Sequence, residues 1–124
     1  MRTVLLLAAG LLLVAAPARA EDQGEPDKRC DGNTREIVEC LMARTAEWEK
    51  RMDAAYKQAL EDTTEPKQRD RLVAAQKLWT QYRDANCEYY KLGPGTISSI
   101  EAGYCMKDLT ETRARELESK TERH

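Results

Sequence analysis

The chain has 124 residues and a formal net charge of −2, from 20 Lys and Arg against 22 Asp and Glu. This length allows one small domain, which excludes dinucleotide-binding and barrel folds. The acidic balance lacks the basic patch of nucleic-acid-binding proteins, so we expect no nucleic-acid partner. Phe is absent, so Trp48, Trp79, five Tyr and the aliphatic residues must form the core.

The first 20 residues have the layout of a secretory signal peptide. Residues 1–2 give a short basic start, residues 4–16 are apolar apart from one Gly, and residues 17–20 offer an Ala-x-Ala cleavage site. The apolar run is too short for a membrane span and no second one follows. Because Glu21 follows the site, a lipid anchor on an N-terminal Cys is not supported, and we expect a soluble periplasmic or secreted product.

Cleavage at this site removes Arg2 and Arg19 and leaves 104 residues with a net charge of −4. The residues that follow are charged or small up to the first Cys, which is typical of a flexible leader. The sequence thus predicts four segments: a signal peptide at 1–20, a leader at 21–29, a helical domain at 30–119 and a frayed tail at 120–124.

The first predicted helix begins near Asn33-Thr34. Asn33 and Glu36 have the spacing of a capping box, in which each side chain accepts a hydrogen bond from the other residue's backbone N–H. Apolar positions then recur at helical spacing, with charges on the other face. These positions are Ile37, Leu41, Trp48, Met52, Ala55, Ala59 and Leu60.

The second predicted helix begins after the polar run 62–65, because Pro66 suits a first helical turn. Residues 93–95, Gly-Pro-Gly, end it. Its expected buried stripe is Leu72, Ala75, Gln76, Trp79, Tyr82, Asn86 and Tyr90. The short break between the two helices, of roughly 28 and 26 residues (about 40 Å each at 1.5 Å per residue), predicts an antiparallel hairpin.

A shorter third helix follows, with a second capping-box spacing at Ser98 and Glu101. Gly103 lowers the helix propensity of the first half of this helix. Its apolar positions are Ile100, Tyr104, Leu109 and Leu117. The predicted fold is therefore all-α: an antiparallel hairpin of two long helices plus a shorter third helix, stapled by two disulfides.

All four cysteines, Cys30, Cys40, Cys87 and Cys105, lie after the predicted signal peptide. An even number in a small exported domain predicts two disulfides. No Cys-x-x-Cys pair occurs and the sole His is His124, which disfavours a zinc site. The lack of an internal His also removes a base partner for a catalytic Cys.

Four cysteines allow three pairings. On helical wheels drawn at about 100° per residue, Cys40 and Cys87 fall on opposite flanks of the hairpin seam. This placement favours the local pairs Cys30–Cys40 and Cys87–Cys105, and it leaves the other two pairings open.

No set of residues has the spacing of a catalytic or metal site. The carboxylate pairs, such as Glu47/Glu49 and Glu116/Glu118, lie in polar surroundings and are interpreted as a solvated face. The methionines Met42, Met52 and Met106 are interpreted as core filler. We therefore expect a protein that is not an enzyme and that binds no metal or cofactor.

Two segments stand out as candidate interaction or packing sites. Gln76, Trp79, Arg83 and Asp84 lie in one run on the second helix, and we interpret them as structural, with the indole packed on the first helix. The candidate partner-binding residues surround the following loop, where aromatic side chains flank Gly and Pro. They are Tyr89, Tyr90, Lys91, Gly93, Pro94, Gly95 and Thr96.

The order of these features resembles that of a known family. The shared elements are Cys30-x9-Cys40, Asp53-x2-Tyr56-x3-Leu60, Leu72-x2-Ala75-Gln76-x2-Trp79-x3-Arg83-Asp84-x2-Cys87, Gly95-Thr96 before Cys105, and Thr110-x2-Arg113-x3-Leu117. Over roughly residues 30–117 the chain is similar to the LprI-like family of exported bacterial proteins, named for a lysozyme inhibitor. It departs from the family at Thr96, where many relatives carry Ser, and in lacking a lipid-anchor Cys.

The resemblance implies an all-helical, disulfide-linked envelope protein that inhibits lysozyme, with no catalytic residues and no cofactor. Lysozymes of the C type are generally basic and use two carboxylates in a cleft, so an acidic domain would be steered toward them. The loop from Lys91 to Ile97 is the expected contact, with Lys91 facing the carboxylates. The alternative is a structural or adaptor protein of the cell envelope. A small-ligand or metal binder is disfavoured for lack of ligating residues, and the sequence leaves the oligomeric state open.

Overall fold

The computed structural model describes residues 29–122, so the predicted signal peptide, nearly all of the predicted leader and residues 123–124 lie outside the described residues. Within this range the chain forms three helices and no strand. They are α1 (Thr34–Asp62), α2 (Pro66–Lys91) and α3 (Ile97–Thr121). The all-α prediction is therefore confirmed, and the two connections, residues 63–65 and 92–96, are short.

The start of α1 is fixed by the capping box that the sequence predicts. The Glu36 N–H donates to Asn33 Oδ1 at 3.1 Å, and the Asn33 N–H donates to Glu36 Oε2 at 2.8 Å. The helix ends at Thr63, whose backbone N–H and hydroxyl both donate to the Ala59 carbonyl. These bonds satisfy polar groups that a helix end leaves without intrahelical partners.

The capping box predicted at Ser98 and Glu101 is wrong. The N-cap of α3 is Thr96, and it makes no side-chain capping bond. The Ser98 hydroxyl instead donates to the Gly95 carbonyl at 2.7 Å. Gly95 has φ +78°, a left-handed conformation that favours glycine. The turn therefore uses Ser98 to hold the loop, and helix α3 begins earlier than the serine.

Helix α3 is the shared packing partner of the other two. It runs antiparallel to α2, as the 76–113 and 87–105 contacts show, and parallel to α1, as the 51–118 contact shows. The backbones of α1 and α2 make far fewer close approaches to each other than each makes to α3. The predicted hairpin is present, but α3 closes most of the core.

The core combines α1 and α3. Met52 and Ala55 from α1 pack with Ala114 and Leu117 from α3 in one buried cluster. Four partly buried side chains surround it: Trp48, Tyr56, Leu72 and Trp79. Trp79 lies beside this cluster, which contains residues of both α1 and α3, so its packing against α1 in particular stays a prediction.

Several residues predicted to be buried are exposed. Tyr82, Tyr90 and Tyr104 have 57%, 40% and 43% of their surface in solvent, and Met42, interpreted as core filler, has 65%. For Tyr82 and Tyr90 the reason is geometric: α2 packs mainly on α3, so only a narrow face of α2 is covered. A tyrosine also tolerates the boundary, because its hydroxyl can remain hydrated.

Both disulfides are the local pairs that the helical wheels favour. Cys30–Cys40 has a Cα–Cα distance of 5.6 Å, and Cys87–Cys105 has one of 5.5 Å. Both lie in the usual range for a disulfide. The first ties the residues before α1 to that helix, and the second ties the end of α2 to α3. Loops of this length contribute about 3 kcal/mol each to stability in the chain-entropy account.

Gly103 lies at a close contact between α3 and α1. A Cβ atom at this position would lie 2.9 Å from Leu41 Cδ1 and 3.3 Å from Leu41 Cβ. Leu41 is only 1% exposed, so it cannot move freely aside. Gly103 lowers the helix propensity of α3, but it also allows α1 and α3 to pack closely.

We expect Gly103→Val to destabilise the fold by about 1–3 kcal/mol, because it overpacks the contact with Leu41. Urea unfolding with the disulfides intact measures this free energy. Glu101→Val is the control for helix propensity, since Glu101 is exposed. In a Leu41→Ala background the Gly103→Val cost should shrink; costs that simply add would contradict the close-contact interpretation.

Candidate functional site

A buried polar cluster joins the three helices, and we call it the polar core. It consists of Gln76 and Arg83 from α2 with Thr110 and Arg113 from α3. Each is at most 9% exposed. Buried polar groups are costly unless they are hydrogen-bonded, so their partners decide whether the cluster is structural or free to react.

Arg83 lies at the centre of one half of the polar core. Its Nη1 donates to Glu49 Oε1 of α1 at 3.0 Å and to Thr110 Oγ1 of α3 at 3.3 Å. Its Nε donates to the neighbouring Asp84 at 2.9 Å. The guanidinium also lies 5.2 Å from the Trp79 ring centroid, within cation–π range. One side chain of α2 thus bonds to both other helices.

Arg113 and Gln76 form the other half. Arg113 Nε donates to Gln76 Oε1 at 2.9 Å, and its Nη1 donates to Glu116 at 2.7 Å. The Gln76 amide in turn donates to the Met52 sulfur of α1 at 3.5 Å. Within residues 29–122 no buried side-chain nitrogen or oxygen is left without a partner. The polar core therefore presents no unpartnered group that points to a reacting substrate.

Ionic contacts along α3 shift three pKa values. Burial raises the pKa of Glu116, but hydrogen bonds from Arg113 and Lys120 outweigh it and hold the pKa below 4.5. Glu111 behaves in the same way: burial raises its pKa, and hydrogen bonds from Arg115 and Lys107 bring it below 4.5. The pKa of Lys107 lies above 10.5, chiefly because its ammonium donates to Asp108.

Two ionic contacts of α1 were not indicated by the sequence. Glu49, interpreted as part of a solvated face, pairs with Arg83 across 34 positions of the chain. Arg51 makes a two-bond contact with Glu118 at 2.9 and 2.8 Å, and it also lies 4.2 Å from the Trp48 ring centroid. Only the three-dimensional arrangement brings these groups together, and no local spacing marks them.

The predicted partner-binding residues gather at one end of the molecule. Tyr89 and Tyr90 are 74% and 40% exposed, with their rings 5.3 Å apart in an edge-to-face arrangement. Leu92 and Ile97, on either side of the loop, are 77% and 55% exposed. We call this surface the loop end; it comprises residues 89–97.

Lys91 belongs to the loop end and also lines a groove between α1 and α3. We call this the α1–α3 groove; its volume is about 510 Å³. Its other lining residues are Val38, Met42, Thr45, Ala46, Glu49, Ser99, Ala102, Gly103 and Met106. The structure therefore places Lys91 between two surfaces, the loop end and the groove.

The described part of the chain contains no group of three or more His, Cys, Asp or Glu that could hold a metal ion. In the same range, no helix combines the length and apolar character needed to cross a bilayer.

These features define a small three-helix bundle with a polar core and two disulfides, one between the segment before α1 and that helix and one between α2 and α3. The comparison with protein families then identifies it more closely. The family described as Lysozyme inhibitor LprI matches residues 27–117, and the chain belongs to this family. No match to the chain was found among curated proteins or among solved structures.

The polar core gives a matched pair of arginine substitutions. We expect Arg113→Lys to destabilise the fold by about 1–2 kcal/mol, because lysine lacks the planar guanidinium that bonds Gln76 through Nε and Glu116 through Nη1. Arg35→Lys should cost less than about 0.5 kcal/mol, since Arg35 is 87% exposed and its ion pair within residues 29–122 is with Glu39 on its own helix. Urea unfolding measures both, and equal losses would contradict a structural role for Arg113.

The lowered pKa of Glu116 predicts sensitivity to acid. Its ionised form is favoured in the folded state, so the stabilisation is complete above pH 4.5 and is lost as the pH falls through the lowered value. Glu116→Gln should therefore lower stability at pH 7 and lose less on acidification to pH 3 than the parent chain. Glu61→Gln, which removes a carboxylate without an ion pair in residues 29–122, is the control for general charge effects.

Proposed function

We propose that this protein is exported and inhibits a lysozyme or a related muralytic enzyme by binding it through the loop end. The observation that carries the proposal is the concentration of exposed aromatic and aliphatic side chains around a short, tied loop. Membership of the lysozyme-inhibitor family supports the same target. Exposed apolar patches of this kind are typical of protein interaction surfaces.

The loop is held on both sides, which favours binding. The Cys87–Cys105 disulfide fixes the end of α2 to α3, and the Gly93 N–H donates to the Tyr90 carbonyl at 3.0 Å. The Ser98 hydroxyl secures the Gly95 carbonyl on the other side. A surface that is ordered before binding loses little conformational entropy when it meets its partner.

Charge supports the choice of partner. After removal of the predicted signal peptide the chain has a net charge of −4, which would attract a basic enzyme and raise the association rate. Within residues 29–122 no acidic side chain pairs with the Lys91 ammonium. It can therefore face the two carboxylates that glycoside hydrolases hold in their cleft.

The proposed role is binding without catalysis. The side chains of the polar core are hydrogen-bonded to neighbouring residues. The family to which the chain belongs is described by an inhibitory activity, which requires no catalysed reaction. Export is supported by the predicted signal peptide and by two disulfides, which persist in oxidising compartments.

A second candidate function is an adaptor of the cell envelope. Leu78 and Tyr82 are 65% and 57% exposed and lie one helical turn apart on α2, on the side away from the polar core. A partner or a second copy could cover them. Light scattering on the purified chain, with Leu78→Ser as the variant, tests self-association through this face.

We expect the oxidised protein to inhibit lysis of bacterial cell walls by a purified C-type lysozyme. Tyr89→Ala and Lys91→Glu should each weaken inhibition by about tenfold or more, because anchors of this kind typically contribute 2 kcal/mol or more. The measurement is a turbidity assay over a range of inhibitor concentrations.

Leu78→Ser is the control for this experiment, since Leu78 is equally accessible but lies outside the loop end. It should inhibit as the parent chain does. Absence of inhibition by the parent chain at tens-fold molar excess would refute the proposed target. Inhibition that survives both loop-end substitutions would refute the proposed surface.

A further inference from the structure

The α1–α3 groove has the composition of a small-molecule site. Ligand sites are typically concave, several hundred Å³ in volume, mostly apolar, and marked by a few polar groups. This groove, of about 510 Å³, has that balance. Its apolar walls are Val38, Met42, Ala46, Ala102, Gly103 and Met106.

Small residues give the groove its concave shape. Gly103 brings α3 onto Leu41 of α1, and Ala46 and Ala102 leave space on either side. Met42 and Met106 border this space. Methionine side chains are unbranched and adaptable, so they can close over an apolar guest of varied shape.

The polar groups of the groove are not equivalent. The Glu49 carboxylate is engaged by Arg83, and the Thr45 hydroxyl donates to the Leu41 carbonyl at 2.8 Å. Lys91 has no acidic partner within residues 29–122, and Ser99 adds a hydroxyl to the lining. Lys91 is therefore the cation of this lining that an anionic ligand can meet.

We propose that the groove binds a single-chain amphipathic anion of the fatty-acid class. The alkyl chain lies along the apolar walls, and its carboxylate pairs with the Lys91 ammonium. This inference concerns a ligand other than lysozyme, although Lys91 takes part in both proposals; the shifts of Met42 and Met106, which lie outside the loop end, test it separately.

The length of the groove suits one extended alkyl chain. Val38 and Glu49 are separated by eleven positions along α1, or about 16 Å at 1.5 Å per residue. An extended chain can follow apolar walls of this length and place its carboxylate near Lys91.

A second groove at the opposite end of the molecule offers a contrast. Its volume is about 670 Å³, and its lining includes Arg71, Arg113, Glu116 and Lys120. Three of these four are already paired with one another through Glu116. Its lining is more polar and more highly charged than that of the α1–α3 groove, so it carries no similar inference.

Methionine methyl NMR on the oxidised chain tests the proposal with dodecanoate below its micellar concentration. We expect the Met42 and Met106 signals to shift with saturation, while Met52, buried in the core, stays unchanged. Octanoate should bind at least tenfold, and up to about a hundredfold, more weakly, because it has four fewer methylene groups to bury.

Three variants and one neutral ligand assign the contacts. Met42→Glu should weaken dodecanoate binding by about tenfold, whereas Leu78→Glu, at a position with the same 65% exposure, should have no effect. Lys91→Met should weaken dodecanoate binding about threefold and leave dodecanol binding unchanged, because an exposed ion pair contributes modestly.

Several results would overturn the proposal. They are no shift at Met42 and Met106, an equal shift at Met52, or equal affinities for dodecanoate and dodecanol. A concentration-dependent shift without ligand, accompanied by dimer formation in light scattering, would show that a second copy covers the groove instead.

Discussion

The packing of the three helices depends on the hydrogen bonds made by two buried arginines. Arg113 belongs to α3 and bonds Gln76 of α2, while Arg83 of α2 bonds Thr110 of α3 and Glu49 of α1. A buried guanidinium needs several well-placed acceptors, and only one registration of the helices supplies them. The apolar cluster drives burial, and the polar contacts select which faces meet.

The disulfides hold the ends of the helices in place, in addition to these polar contacts. A domain of this size buries limited apolar surface, so crosslinks contribute a large share of its stability. Cys30–Cys40 secures the chain before α1, and Cys87–Cys105 secures the connection that leads to the loop end. The loop is therefore held by covalent and polar contacts together, and it can present exposed apolar side chains without losing its shape.

Much of the fold could be predicted because its signals are local. The capping box at Asn33, Pro66 at the start of α2 and the glycines near position 94 mark helix ends within a few residues. The site was harder to predict. The Glu49–Arg83 pair joins distant positions, and the direction of Lys91 toward a groove depends on how α1 and α3 meet. Gly103 shows the same limit, since its role depends on Leu41 and not on its own neighbours.

The up-down-up order of the helices also gives the molecule a polarity. The amino end of α1 lies at the same end as the loop, because α1 and α2 are antiparallel, whereas α3 finishes at the far end. A tag, dye or solid support coupled after the carboxyl end of α3 would leave the loop end accessible. The same attachment before the amino end of α1 would lie beside the loop end and obstruct it. The choice of terminus therefore decides whether an immobilised sample can bind a large partner.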